Sequence, residues 1–236
     1  MPASSQPRTL YRRPTTPLQH DPSFERPELT GPEAGPEAPF PVYLKGWVTR
    51  GFGRGSKDLG CPTGESDDGW INWANLPDSS IEPYAETLQT GVYYGYARVL
   101  DPHHPQNSLA FSSSSSSSPN TTPCPHDQVW PMVMSIGWNP FYKNQSRTAE
   151  VHILHEYPQD FYGKELRVVM LGFIRPEYNY SSMDALIKDI DMDKSVSLRS
   201  VSRPSYATYA SDPFFTRTSQ LEKPKQDPNK VRVKTD

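Results

Sequence analysis

The sequence predicts a mainly β fold, a small sandwich or barrel, with one helix near the C-terminal end. Several short segments rich in β-branched and aromatic residues are separated by turn signals, the pattern of such folds. Helical periodicity appears only after Pro176. With 26 prolines and 34% hydrophobic residues among 236, the chain has apolar surface for one modest domain and for unfolded arms beside it.

Residues 1–38 are Pro-rich and without hydrophobic period, and are expected to form a disordered tail. Arg8, Arg12 and Arg13 precede the first acid, Asp21, as in a mitochondrial presequence, but Pro2, Pro7, Pro14 and Pro17 oppose the amphipathic helix such a leader needs. The domain is expected over 39–215. PVYLKGWV (41–48) reads as a strand with Val42 and Leu44 on one face. Further strands are read at 91–100, 128–137, 149–157 and 165–174. In the last of these, alternation puts Val169, Leu171 and Phe173 on one face and Val168, Met170 and Ile174 on the other. Residues 101–127 hold seven consecutive serines and several prolines and are expected to be a disordered loop. Met183, Leu186, Ile187 and Ile190 mark a helix capped by Ser181 or Ser182 and stopped by Pro204, its apolar stripe expected on the barrel. Residues 216–236 read as a polar tail.

A formal net charge of −3 supplies no basic field, so nucleic acid is not an expected partner. No apolar run approaches the ~18 residues of a membrane span, and there is no signal-peptide apolar region. Two cysteines, Cys61 and Cys124, form no framework and fit a reducing compartment. A soluble, cytoplasmic monomer is expected, with mitochondrial association as the alternative. His103, His104, Cys124 and His126 match no ordinary zinc spacing.

Chemistry concentrates in two places. In 50–63, Gly51, Gly53 and Gly55 alternate with bulkier residues around Arg54 and Lys57, ahead of Pro62-Thr63. Backbone N–H groups in such a turn can cradle an anion. The stretch is a near miss for a P-loop, since Ser56 stands for the second glycine and Asp58 follows Lys57. A hairpin loop and a phosphate site are both open. The second place is the strand that begins Glu150-Val151-His152-Ile153-Leu154-His155, where Glu150 and His152 share one face and His155 takes the other. A carboxylate at a strand end can accept a proton from a hydroxyl, or it can be a surface acid. The aromatics of 135–144 form either core or the wall of a planar-ligand pocket.

Taken together, GRGSK-x-LG-x-PT, GVYYG, SIGWNPFYKN, E-x-H-I-L-H, DFYGK and LGFIRPE resemble, in order, the blocks of the riboflavin kinase family, with the single-function eukaryotic type most similar. The resemblance runs from about Pro41 to Phe215 apart from two insertions. It implies a six-stranded antiparallel Greek-key β-barrel with a C-terminal α-helix, and transfer of the ATP γ-phosphate to the riboflavin 5′-hydroxyl to give FMN. It places Gly51, Lys57, His152 and His155 on the ATP side. Thr63 and Asn75 fall at Mg²⁺ ligands, with Zn²⁺ or Mn²⁺ as alternatives. Glu150 falls at the catalytic carboxylate and Arg175 on the flavin side.

One departure stands out. The family motif P-T-A-N-x-P is split here, because residues 64–73 (GESDDGWINW) separate Pro62-Thr63 from Ala74-Asn75-Leu76-Pro77. Either this stretch bulges out and returns Ala74-Asn75 to position or, the favoured reading, it is an untranslated segment read as coding. A split metal motif also raises a rival function, a flavin- or nucleotide-binding barrel with little activity. A β-barrel interaction module is the third reading.

Overall fold

Strand alternation builds one curled sheet, in a computed structural model that describes residues 18–21, 25–49, 71–100, 128–138, 147–157 and 161–216. In chain order the strands are β1 (Leu18–Gln19), β2 (Val42–Trp47), β3 (Ile71–Leu76), β4 (Gly91–Leu100), β5 (Trp130–Trp138), β6 (Arg147–Tyr157), β7 (Glu165–Arg175) and β8 (Tyr178–Asn179). Helices α1 (Met183–Ser202) and α2 (Pro204–Ala207) follow. β4, β5 and β6 pair consecutively and β7 returns beside β4, which is the Greek-key arrangement. β2 adds to β7 and β3 to β6, giving the antiparallel order β2-β7-β4-β5-β6-β3. The two edges then meet, for Thr49 just beyond β2 bridges Asn75 of β3, its N–H 3.0 Å from the Asn75 carbonyl. That one bridge draws the edges together at one end of a curled, half-barrel sheet. β3 is the strand of the barrel that periodicity alone did not mark.

Two cores result. The barrel interior is filled by Leu44, Val99, Met134, Ile153, Val168 and Met170, among others. A second layer lies outside β4 and β7, where Tyr94, Tyr96, Val169 and Leu171 meet Val201, Tyr206 and Phe215 from the C-terminal segment. Both faces of β7 are therefore apolar, as its sequence suggests. The expected facing fails at its end, however. Phe173 joins the inner core instead of Val169 and Leu171, and Ile174 joins the outer layer. The cause is a register shift against β4, where Tyr94 pairs with Gly172 but Gly95 with Met170, and the extra residue flips the alternation. A Cβ at Gly172 would overlap Tyr94.

α1 starts at the expected cap, with Ser182 Oγ accepting from the Ala185 N–H at 3.2 Å, and it ends before Pro204. Its seat differs from the expected apolar stripe. Met183 is exposed, while the buried positions are Asp189, Asp193, Val196, Ser197, Ser200 and Val201. Charge pairing sets this orientation. Arg175 at the end of β7 binds Asp193 through Nη2 at 2.8 Å and lies 3.5 Å from Asp189. Arg26 pairs with Asp189 at 2.9 Å and also with Asp193. Tyr180 donates to Asp189 at 2.5 Å. Burial works against a charged Asp189, but Tyr180, Arg175 and Arg26 more than offset it and hold its pKa below the usual carboxylate value.

Arg26 belongs to the segment expected to be a disordered tail. Residues 25–38 instead lie along α1 and α2. The Thr30 and Gly31 carbonyls accept from Arg203 at 2.5 and 2.7 Å, and those of Thr30 and Pro32 accept from Tyr94 and Tyr206, each at 2.9 Å. Beyond the Arg26 side chain, backbone carbonyls do the binding, and they leave no hydrophobic period to read. Removing one partner of a buried ion pair strands the other's charge. R26A is therefore expected to destabilise the fold by about 3 kcal/mol, read as a lower urea midpoint with an unchanged slope.

Candidate active site

Register gathers the candidate residues along one line across the sheet. Antiparallel partners directly opposite each other project to the same face. From the bridge between the sheet edges the line runs Thr49, Asn75, Glu150, Ser135, Val92, Arg175. On β3, Ala74 and Leu76 point into the core, so Asn75 points outward. On β6, Ala149, Val151 and Ile153 take the interior and Glu150 is exposed on the outside. A carboxamide thus stands beside a carboxylate on one outer face, flanked by the hydroxyl-bearing residues Thr49 and Ser135. Thr49 also donates through Oγ1 to the Asn75 carbonyl at 3.3 Å, fixing the residue that leads into the glycine-basic turn.

The next row along the same face is aromatic. Trp73 pairs with His152, their rings stacked at 4.3 Å and 25°. His152 is buried, and burial pushes its pKa down to about 3, with Lys194 adding to the shift and Asp191 opposing it. Its ring is neutral at physiological pH. His155 faces the other way, into the barrel, stacked on Trp130 at 3.9 Å and 3°. Burial lowers its pKa as well, against Glu156. The two histidines that the resemblance places on the ATP side lie on opposite faces of β6, as period-two alternation expects.

Arg175, at the far end of the line, has its guanidinium directed at Asp193, Asp189 and the Pro176 carbonyl. Gly51, Lys57 and Thr63 lie outside the described residues, as does the serine-rich stretch 101–127. Of the interrupting stretch 64–73, the last three residues form the start of β3. In that strand Asn75 stands opposite Glu150. Without the stretch, Thr63 would fall two residues before Asn75, on the same face; Trp73 holds that place.

Sequence reasoning missed Ser135, Thr49 and Glu177. Ser135 and Thr49 gave no signal, because strand pairing alone brings them to Glu150. Glu177 stood in view in the RPE block, but only the fold turns its carboxyl end onto Gly137, where a Cβ would overlap Oε1. The residue as a whole is exposed. Burial of its carboxyl end pushes its pKa up, the Thr90 hydrogen bond and Arg175 oppose this, and the charge of Glu150 adds to the rise. Two carboxylates therefore share this side of the barrel.

In chemical terms the line offers an acceptor for a hydroxyl proton beside neutral, hard oxygen donors. Among the described residues no group of three or more His, Cys, Asp or Glu could hold a metal by itself. That donor set suits Mg²⁺, which keeps waters and phosphate oxygens beside one or two protein ligands. Fold and site define a Greek-key β protein with one exposed carboxylate set among neutral oxygen-bearing side chains.

The model of the family described as Flavokinase, riboflavin kinase, matches residues 38–201. A riboflavin kinase of Pyricularia oryzae is 47% identical over 183 residues, covering 77% of this chain and 81% of that protein. One of Emericella nidulans is 44% identical over 209 residues, covering 80% and 90%. A solved riboflavin kinase from Trypanosoma brucei aligns with a TM-score of 0.48 at 22% identity, covering 76% of this chain and 88% of that one. The chain belongs to the riboflavin kinase family.

The neutral His152 has a consequence for stability. Its folded pKa lies below the ordinary value of 6.5, so the unfolded chain takes up its proton first as pH falls. The contribution is full above pH 6.5 and is lost progressively toward pH 3, on the order of 5 kcal/mol in all. In H152F, urea unfolding followed from pH 7 to pH 4 should show a shallower fall in stability than the wild type.

Proposed function

We infer that this chain phosphorylates riboflavin to FMN with ATP as co-substrate, and that Glu150 accepts the proton of the riboflavin 5′-hydroxyl. Membership of the riboflavin kinase family supports the reaction, and the pairing of Glu150 with Asn75 on one exposed face carries the assignment of the residue. The comparisons lend no support to a binding barrel without activity.

Phosphoryl transfer asks for positioning and charge neutralisation more than for covalent help. Glu150 supplies a base within the row, on a strand paired on both sides and therefore held in place. Asn75 presents a carboxamide oxygen one strand away, and Thr63 would join it from the turn before β3. Together they would hold Mg²⁺, which when bound offsets charge on the ATP phosphates. Lys57 and the backbone N–H groups around Gly51 would cradle the same phosphates. His152, neutral and stacked on Trp73, contributes a flat apolar surface beside the row, suited to packing rather than to charge. Arg175 would act on the flavin side by fixing the RPE turn to α1, since its guanidinium is already directed at Asp193. No helix among the described residues is long and apolar enough to cross a membrane, and a cytoplasmic monomer is the setting we propose.

E150Q keeps the shape and removes the base. It should lower kcat by about a hundredfold or more while the affinity for riboflavin, followed by flavin fluorescence, stays near wild type. Turnover equal to wild type would remove Glu150 from this role. N75A should raise the Mg²⁺ concentration needed for half-maximal rate and leave riboflavin affinity unchanged, which a Mg²⁺ titration at saturating substrates reads directly.

A further inference from the structure

We propose that Trp73, through its stack on His152, is a positioning residue that holds Asn75 in register with Glu150. Trp73 and Asn75 are two residues apart on one face of β3, and their partners His152 and Glu150 are two residues apart on the same face of β6. The two pairs are therefore adjacent rungs of one ladder. What sits on the first rung sets the second.

β3 needs such an anchor. Its pairing with β6 is irregular between Ile71 and Trp73, so the ladder that holds Asn75 begins at Trp73 and ends at Leu76. A strand paired over so few residues next to a bulge is open to slippage, and a slip of one residue would turn Asn75 to the barrel interior. Leu76 and Ala74 resist a slip from inside the core. On the outer face the large contact is the indole on the imidazole, at 4.3 Å. Neither Trp73 Nε1 nor His152 Nδ1 has a hydrogen-bond partner among the described residues, and both atoms are buried. Ring overlap rather than a polar tether therefore defines the contact, and an aromatic ring is what the position requires. Trp73 is the last residue of the stretch that interrupts the metal motif. That stretch is consequently not a passenger: its end is part of the strand that presents Asn75.

The proposal rests on the assignment of Glu150 for its kinetic consequence, but not for its structural one, and the test separates the two. W73A, W73L and W73F are made in the full chain; leucine keeps apolar bulk without a ring and guards against a variant that fails to fold. Three quantities are measured: kcat with riboflavin and Mg·ATP, the riboflavin Kd by fluorescence, and the Asn75 side-chain amide resonances by NMR. Misplacement by about 1 Å can cost about a hundredfold in rate. The expected result is a loss of kcat of about tenfold or more in W73A and W73L, with riboflavin Kd within about twofold, shifted Asn75 resonances, and near-wild-type values for W73F. Unmoved Asn75 resonances in W73L would overturn the proposal, as would equal loss in W73L and W73F. Shifted resonances with an unchanged kcat would keep Trp73 as the register anchor and count instead against Glu150, which E150Q tests by itself.

Discussion

Asn75 carries two loads, and the rest of the molecule is arranged around their meeting. Its backbone carbonyl accepts from Thr49, the bridge that joins the two edges of the sheet. Its side chain stands opposite Glu150 on the outer face. The bridge between the sheet edges and the Asn75–Glu150 pairing thus meet at one residue. A sheet that opened at this point would separate Thr49 from the strand that carries Asn75 and from Glu150 beyond it. Hydrogen bonds between backbone groups are geometrically exacting, so this bridge limits where Thr49 and Glu150 can lie.

A second constraint acts on the opposite flank. α1 is not seated mainly by grease. Asp189 and Asp193 turn inward to two arginines, one from the end of β7 and one from the N-terminal segment. Buried charges of this sort add little net stability over an apolar contact, yet they tolerate few alternative arrangements. The helix, the RPE turn and the N-terminal segment are therefore fixed to one another. Glu177, two residues from Arg175, inherits that placement and is set down on Gly137, a strand position that only a glycine could leave open.

Between these flanks lies the stacked pair of Trp73 and His152. A neutral histidine under an indole is an apolar object with a polar edge, and it joins β3 to β6 where the ladder is weakest. The interruption of the P-T-A-N-x-P motif changes the local problem from spacing along the chain to register between strands.

Most strands could be read from alternation, because a side chain's face depends only on its neighbours along the chain. β4 was legible to its ends, and the β6 facing of Glu150 and His152 followed from period two. The family could be read from six ordered blocks, and with it the reaction. Tertiary structure decided the rest. The face of Phe173 depended on a bulge against β4, the orientation of α1 on arginines far away in sequence, and the order of residues 25–38 on carbonyls that carry no pattern. The line from Thr49 through Asn75 and Glu150 to Ser135 belongs to four separate segments. Residue types set what each of them can do chemically; only strand register, a property of pairs distant in sequence, decides that they stand together.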